Sequence, residues 1–397
     1  MVIFAALYLA FDVYMLLTRG LFIFIGVDYR SFWASALIAH THGFAHVYDL
    51  DLQRQVQEPL VHAFAAADRE LRWSTIPTPY LPAFVALFVP FLAFPPGVGL
   101  VLWTIINIAA TCGYLVWFSR HIGGSRNRGL VLAMCLSFPA LETFQFAQVN
   151  GWLMIFMGEF FRHAIAGNGF RSGLWLAGLL LKPQTLMVIG PGLLLTRRWR
   201  TLAGAAAGGL TILVASLLVA GVDGLMENAR LIFLYSGHVP STVPRDMMNW
   251  RSLGLHLSDA LPEPIAWGFA LAGLAATYLA GLSLWLGPRQ TSPVRFAVVV
   301  LGSYAATCAV AWHSHTHMGL PMAIPLLYLA ARGEVSYRTL AVWLITPYLV
   351  FAILRVIFDL GHVGVLAVNL YLLAWALMKL RTMPSVPEPV GSIQASS

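Results

Sequence analysis

The feature that most constrains this chain is a series of apolar runs of about 17 to 25 residues, since a run of that length crosses a lipid bilayer as one helix. Hydrophobic residues make up 59% of the 397 residues and charged residues only 10%, with a mean hydropathy of +0.75. So few polar side chains could not cover a water-facing surface. The sequence therefore predicts an all-α polytopic membrane protein.

The distribution of basic residues indicates how the chain is oriented. The formal net charge is +7, but the basic residues concentrate in short loops between apolar runs, a pattern that marks the cytoplasmic side. The charge therefore indicates topology, and we expect no nucleic-acid partner. Six such loops contain 14 of the 24 Lys and Arg residues and are predicted to be cytoplasmic: 119–128, 161–172, 196–200, 287–295, 331–338 and the tail from 379.

Keeping these six loops on one side decides how two ambiguous segments cross the membrane. Residues 80–96 are predicted to be a re-entrant or interfacial segment, because a full crossing would invert every later loop. Residues 173–195 are predicted to be two half-helices that meet near Lys182 and Pro183. The expected fold has about twelve transmembrane helices, an uncleaved first span and both termini inside. It forms one domain, residues 1–381, with a disordered cytoplasmic tail at 382–397.

The remaining loops then all lie on the extracytoplasmic side. The first is long and, with the re-entrant segment, covers residues 27–96; we expect it to form short amphipathic helices on the membrane interface. The loops of this face carry most of the unusual polar residues. The loops of this face are 27–79, 142–150, 182–184, 222–263, 313–317 and 358–362.

Asp28 is the first polar residue after the first apolar run. A lone acid there has a simple explanation, a solvated helix end. Cations and amides in the other loops of the same face favour a second explanation, in which these side chains bind a sugar linked to a lipid phosphate. Cations at the headgroup plane would hold the phosphate, and a carboxylate beside the anomeric carbon would act as general base. Asp28 is the candidate base.

The motif HSHTH brings three histidines, His313, His315 and His317, into one loop. Alternating histidines can bind a metal, but no acidic residue lies beside them. A phosphate or sugar contact, an ordinary polar loop and a metal site all stay open for this motif. The three cysteines lie in apolar stretches without paired spacing, which argues against a disulfide framework or a zinc site.

Other ionisable residues have simpler interpretations. Asp12 lies inside the first apolar run, where Arg19 on the same helical face is its expected partner. Glu142 is a second-rank candidate for the site because it is near the polar loops. Glu159 is expected to face the bundle interior or the cytoplasmic boundary and is assigned no role.

Six motifs, in this order, resemble glycosyltransferase family 87, membrane enzymes of the GT-C type that use polyprenyl-phosphate sugars as donors. They are DYRSFWASALIAHTHGFAHVYDL, TPYLPAFVALFVPFLAFP, FQFAQVNGWLMIFM, GLLLKPQTLMVIGPGLLLTRRWRTLAGAAAG, MNWRSLGLHL and HTHMGLPMAIPLLYL. The resemblance implies a GT-C-like bundle, an inverting displacement and Asp28 as the catalytic base. It implies no nucleotide sugar, no cofactor and no obligatory metal.

The residues and the resemblance together predict an integral-membrane hexosyltransferase in the bacterial inner membrane. It would move a sugar, expected to be mannose, from a polyprenyl-phosphate donor to a lipid or glycan acceptor on the extracytoplasmic side. The alternatives are a lipid-linked-sugar flippase or other transporter, and a non-catalytic binding or assembly protein. The predicted donor-phosphate ligands are Lys182, Arg245, Arg251, His315 and His317. The predicted sugar or acceptor contacts are Tyr29, Gln148, Asn150, Gln184 and Asn249.

Overall fold

The computed structural model describes residues 1–65, 75–122, 128–235, 244–287, 292–358 and 360–383. Within these ranges the chain forms α-helices and short 3-10 helices and no β-strand. The predicted tail from residue 384 lies outside them. The α-helices are α1 Val2–Arg19, α2 Val27–His42, α3 Leu50–Ala65, α4 Pro82–Ala86, α5 Pro96–His121, α6 Arg128–Cys135, α7 Phe138–Gln145, α8 Asn150–Ile165, α9 Gly169–Leu176, α10 Ile189–Leu195, α11 Trp199–Tyr235, α12 Trp250–Leu257, α13 Glu263–Ser283, α14 Pro293–Val310, α15 Ala323–Ala331, α16 Tyr337–Leu344, α17 Thr346–Phe358 and α18 Gly361–Thr382.

Six segments in the described ranges are long and apolar enough to cross a membrane, by length and composition. Shorter apolar helices accompany them, among them α1 and the segments on either side of Lys182. The chain is therefore all-helical and has the composition of a multi-pass membrane protein. The six are 96–121, 199–234, 263–283, 293–310, 337–354 and 361–382.

Helix α14 lies at the centre of the bundle. Every residue from Phe296 to Val310 is buried, and most are Val, Ala or other small side chains that allow neighbouring helices to approach closely. The core around α14 includes Phe160 and Phe161 of α8, together with apolar residues of α15 and α18. Helix α11, in contrast, exposes most of its apolar residues, as expected of a helix that faces lipid.

The backbone is interrupted in both ambiguous segments. Residues 80–96 contain only α4 and a 3-10 helix, Val89–Ala93, with a proline in the first turn of each. The second segment is broken at Lys182, which separates the 3-10 helices Ala177–Leu181 and Pro183–Leu186. The break follows from Pro183, because a residue that precedes proline is disfavoured in the α conformation.

Helix α2 differs from the expected interfacial helix. Its residues are buried along most of its length, including Tyr29, Ser31 and Ser35, because a polar network clamps α3 and residues 76–78 over it. Ser35 donates to Thr78 Oγ1 at 2.7 Å and accepts from Gln53 Nε2 at 2.8 Å. Small side chains on α2 permit this close approach, so the helix packs within the protein.

The loop predicted at 222–263 is also more helical than expected. After a kink at Gly221, whose φ is 67°, helix α11 continues into this range as far as Tyr235. Its polar residues are spaced as on an exposed helix face, and Arg230 pairs with Glu227 at 2.7 Å. Polar composition therefore indicated a loop where the chain continues α11, with polar side chains among exposed apolar ones such as Met226 and Phe233.

Candidate active site

A cavity of about 620 Å³ opens at the end of the bundle where the polar loops converge. Each of the six loops predicted to lie on the extracytoplasmic side contributes at least one residue to its wall. In chain order these include Asp28, Gln148, Lys182, Asp246, His315 and His362. The fold thus brings together the loops that the charge pattern assigned to one face.

Asp28 is held in the first turn of α2 by backbone contacts with the end of α7. The Gly26 amide donates to the Gln145 carbonyl at 2.7 Å, and the Asp28 amide donates to the Phe146 carbonyl at 3.2 Å. Gly26 has a φ of 72° and lies against Leu100, which leaves no room for a Cβ. This turn directs α2 so that the Asp28 carboxylate faces the cavity at a helix N-terminus.

Gln148 and Tyr80 order the carboxylate of Asp28. The Gln148 side chain hydrogen-bonds to Asp28, and its Oε1 accepts from the Tyr80 hydroxyl at 3.3 Å. Because Oε1 accepts from Tyr80, the amide group of Gln148 is the donor to Asp28. The three side chains form one chain of hydrogen bonds along the cavity wall.

Lys182 projects into the same cavity from the broken helix. Its carbonyl accepts from the Thr185 amide at 2.9 Å and the Thr185 hydroxyl at 2.7 Å, so the turn is capped internally. Only 9% of the residue is exposed. The side chain therefore presents an ammonium group inside a largely enclosed, partly apolar space.

Asp28 and Lys182 shift each other's ionisation. Burial raises the pKa of Asp28, while Lys182, the Gln148 hydrogen bond and Arg30 oppose that rise. Burial lowers the pKa of Lys182 to about 8, and Asp28 opposes that fall. At neutral pH Lys182 is thus mostly protonated, and Asp28 is a stronger base than an exposed aspartate.

The histidine loop is fixed against the 3-10 helix that ends at Asp246. His315 Nδ1 lies 2.8 Å from the Asp246 carbonyl, and the Met248 amide donates to the Ser314 carbonyl at 2.9 Å. Burial, reinforced by the charge of Lys182, lowers the pKa of His315 to about 4. A neutral His315 donates from Nδ1 to the carbonyl and leaves Nε2 as a hydrogen-bond acceptor.

Apolar side chains make up much of the rest of the cavity wall. Phe11 and Met15 of α1 line it together with Phe24, Met187 and Phe351. A cavity that combines a carboxylate, an ammonium and histidines with aromatic and aliphatic groups suits an amphiphilic ligand.

Two predicted contact residues point away from the cavity. Tyr29 is fully buried and packs against Phe88 and Phe91. Asn150, at the start of α8, is also fully buried, and neither polar atom of its side chain has a hydrogen-bond partner among the described residues. Neither residue lines the cavity, so a contact with sugar or acceptor stays a prediction for both.

Three further predicted residues lie behind or beside the site. Asn249 caps α12 by accepting from the Ser252 amide at 2.9 Å, and it donates to the Ala311 carbonyl at 2.8 Å. The Arg251 guanidinium lies 4.8 Å from the ring centre of Trp312, which itself lines the cavity. Arg245 pairs with the exposed Asp259 in two contacts of 2.5 and 2.8 Å. Of the other predicted residues, Gln184 and His317 line the cavity.

The structure places the second-rank candidate Glu142 at the cavity and adds residues that were not among the predicted site residues. Glu142 and Thr316 are hydrogen-bonded to each other and both line the cavity, which gives the second-rank candidate a defined place. Tyr80 and His362 line it as well. His362 belongs to the loop predicted at 358–362, and Tyr80 belongs to the motif TPYLPAFVALFVPFLAFP; these were the signals that could have found them.

Within the described residues, no group of three His, Cys, Asp or Glu side chains is arranged to hold a metal ion. The rings of His313 and His315 meet edge to face with centroids 4.9 Å apart, and those of His315 and His317 stack with centroids 5.6 Å apart. The side chain of Arg19, the expected partner of Asp12, lies outside the described part of the chain.

Comparison with known proteins gives one family and one curated relative. The model of glycosyltransferase family 87 matches residues 78–311, which is more than half of the chain. The polyprenol-phosphate-mannose-dependent alpha-(1-2)-phosphatidylinositol pentamannoside mannosyltransferase of Mycobacterium tuberculosis (strain CDC 1551 / Oshkosh) is 24% identical over 281 residues, which cover 67% of this chain and 62% of that protein. The chain thus spans less than two thirds of the relative's length. No solved structure matches the chain.

Proposed function

The chain belongs to glycosyltransferase family 87, and we propose that it transfers a hexose from a polyprenyl-phosphate donor to a hydroxyl of a lipid or glycan acceptor. The observation that carries this proposal is the presence of Asp28, Lys182 and many apolar side chains in one cavity. A donor of this class also combines polar and apolar parts, with a sugar phosphate at one end and a hydrocarbon chain at the other. The name of the mycobacterial relative supports mannose as the sugar.

In the proposed mechanism an acceptor hydroxyl attacks the anomeric carbon of the donor sugar from the face opposite the phosphate. The new carbon–oxygen bond forms as the bond to the phosphate oxygen breaks, and polyprenyl phosphate leaves with the electron pair. Asp28 takes the proton of the attacking hydroxyl, which its raised pKa favours. The product is the inverted glycoside.

Lys182 would stabilise the negative charge that grows on the leaving phosphate. Its ammonium is mostly protonated at neutral pH, and a charge held in a partly apolar cavity acts more strongly than one in water. Arg251, behind Trp312, would add to the positive potential. Arg245, which is exposed and paired with Asp259, is a weaker candidate for a direct phosphate contact.

The histidine loop would recognise the sugar. Because His315 donates from Nδ1 to the Asp246 carbonyl, its Nε2 is an acceptor and would receive a hydrogen bond from a sugar hydroxyl. We therefore assign His315 to the sugar in preference to the phosphate. His317 Nδ1 has no partner among the described residues. Gln184 lines the same cavity, and its side-chain amide donates to the His313 carbonyl at 3.5 Å; both side chains would complete the polar contacts.

We also propose a membrane arrangement for this chemistry. The cavity would open on the extracytoplasmic side of a bacterial inner membrane, because the loops around it are those that lack concentrated basic residues. The six long helices and the shorter apolar ones would together give about twelve crossings, with residues 80–96 as a re-entrant segment. Residues 1–381 would form one GT-C-like domain and residues 382–397 a cytoplasmic tail.

The test is transfer of radiolabelled mannose from polyprenyl-phosphate mannose into lipid or glycan by membranes that contain the protein. Asp28→Asn is expected to lower the transfer rate about 10²-fold or more, since an amide cannot accept the proton. The matched control is Asp51→Asn. It removes a carboxylate from α3, at a residue whose side chain is 93% exposed. It should leave the rate unchanged.

Each outcome of this assay has a definite meaning. Equal transfer by wild type and Asp28→Asn would keep the enzyme but discard Asp28 as its base. If the wild-type protein transfers no mannose, other polyprenyl-phosphate sugars are tested next. Failure with all of them would refute the transferase proposal and favour a lipid-linked-sugar transporter.

A further inference from the structure

A second cavity, of about 600 Å³, lies at the other end of the bundle. Phe296, near the start of α14, lines this cavity, whereas Trp312 and His313, just after the end of α14, line the first. Phe296 and Trp312 are 16 positions apart, so these two lining residues are separated by about 24 Å along the helix axis. The proposed active site therefore does not extend into the second cavity.

Four arginines line this second cavity, which we call the arginine cavity. Arg197 and Arg198 come from the turn between α10 and α11, Arg200 from the first turn of α11 and Arg295 from the first turn of α14. Among the described residues that line the cavity there is no Asp or Glu.

Several contacts hold these guanidinium groups at the cavity. Arg198 lies over the ring of Phe296 at 4.9 Å. The Arg295 guanidinium packs on Gly287, so closely that a Cβ at that position would lie 2.5 Å from its Nη2. Arg197 has a φ of 52°, a conformation that glycine usually supplies at a helix end. The first two contacts hold the guanidinium groups of Arg198 and Arg295 at the cavity.

The first turn of α11 adds hydrogen-bond donors. The helix begins at Trp199, so the amides of its first residues have no partner within the helix and favour an anion. Together with four guanidinium groups, which bind phosphate oxygens in pairs, they match the chemistry of a phosphate ester.

The surroundings of the cavity distinguish a lipid phosphate from a soluble one. Exposed apolar side chains flank it: Leu194 and Leu195 of α10 are 54% and 52% exposed, Trp199 is 60% exposed and Leu286 is 72% exposed. In a membrane such side chains contact acyl chains. Basic pockets between transmembrane helices on the cytoplasmic side are sites where anionic lipid headgroups bind.

We propose that the arginine cavity binds the phosphodiester headgroup of an anionic phospholipid of the cytoplasmic leaflet. The bound lipid would neutralise the four arginines and link the ends of α8, α10, α11 and α14. The site is separate from the sugar-transfer chemistry, and its occupancy can be measured without a sugar donor.

The experiment measures binding of short-chain phosphatidylglycerol to the purified full-length protein in a non-ionic detergent, by native mass spectrometry. Short-chain phosphatidylcholine and inorganic phosphate are the comparison ligands. We expect phosphatidylglycerol to bind more tightly than either. The double variant Arg197→Gln/Arg200→Gln is expected to weaken that binding about tenfold or more, since each cation contributes to the attraction of an anionic lipid.

The matched control is Arg338→Gln, which removes an exposed arginine from another basic loop outside the cavity and should leave binding unchanged. Thermal unfolding without lipid verifies that each variant is folded, and Arg295→Gln replaces the double variant if that one is not. Equal phosphatidylglycerol affinity in wild type and variant would overturn the site. Inorganic phosphate binding as tightly as phosphatidylglycerol would overturn the lipid assignment.

Discussion

At the residue scale, the ionisation of two side chains decides what the cavity can do. Asp28 must be deprotonated to accept a proton, and Lys182 must be protonated to stabilise the leaving phosphate. Burial destabilises the charged form of both groups, and the opposite charge of each group partly offsets this effect on the other. The proposed enzyme therefore works only in a window between the two pKa values.

The alkaline edge of that window is the first prediction. Burial lowers the pKa of Lys182 to about 8, so its positive charge is lost as the pH rises through that value, and transfer should fall there. Lys182→Arg keeps the charge to much higher pH, so the fall should move upward even if the rate at pH 7 is reduced. Initial rates from pH 6 to 10 measure both profiles. An unchanged alkaline fall in the variant would assign it to another group.

The acidic edge depends on Gln148. Its hydrogen bond favours the ionised Asp28 and so lowers the pKa of that carboxyl. Gln148→Leu removes the bond, so the pKa of Asp28 should rise and the acidic fall in transfer should move to higher pH. Gln55→Leu, at an exposed position of α3, is the control. A lower rate with an unmoved acidic edge would mean that Gln148 contacts substrate without tuning Asp28.

At the element scale, close packing of α9 on α11 supports the broken helix that carries Lys182. A Cβ on Gly204 would lie 2.0 Å from the Phe170 carbonyl oxygen, and one on Gly173 would lie 1.9 Å from the Thr201 carbonyl oxygen. The two helix backbones are thus in direct contact, as at other membrane helix pairs that meet through small residues. Helix α9 leads directly into the 3-10 helix that ends before Lys182.

This contact predicts a strong effect of one methyl group. Gly204→Ala should destabilise the protein by about 1–3 kcal/mol, because the methyl group meets backbone atoms that cannot move independently. Gly113→Ala, in α5, meets nothing within 4 Å and should be neutral or slightly stabilising. Thermal unfolding in detergent, followed by size-exclusion chromatography, measures the difference. Similar melting temperatures for the two variants would contradict the close contact.

At the scale of the whole molecule, the two cavities are lined by two different sets of loops. The first gathers the loops without concentrated basic residues, and the second is lined by residues of three predicted cytoplasmic loops, 161–172, 196–200 and 287–295. Since α14 connects one cavity to the other, the ends of the bundle correspond to the two predicted sides of the membrane.

That correspondence predicts the result of labelling in intact cells. In a background without the three native cysteines, a membrane-impermeant maleimide should label Asp51→Cys, whose parent side chain is 93% exposed. It should not label Arg338→Cys until the cells are permeabilised, although Arg338 is also exposed. The reverse pattern would place the proposed active site on the cytoplasmic side and contradict the donor assignment.

The sequence by itself determined the membrane class, the helical fold, the break at Lys182 and the family. These follow from local composition and order: apolar runs, basic loops, a lysine before Pro183, and motifs that occur in the family's order. The same loop assignment brought out Asp28, Lys182 and Gln148, which the fold gathers around one cavity. Each of these inferences needs only the order of residues along the chain.

Only the tertiary structure decided which polar side chains of a loop face the cavity. Tyr29 follows Asp28 directly yet packs against Phe88, and Asn150 lies two residues after Gln148 yet is fully buried. Neighbours on a helix point in different directions, and the partners they meet come from distant parts of the chain. For the same reason the arginine cavity was not predicted, because it forms where three separate turns pack together.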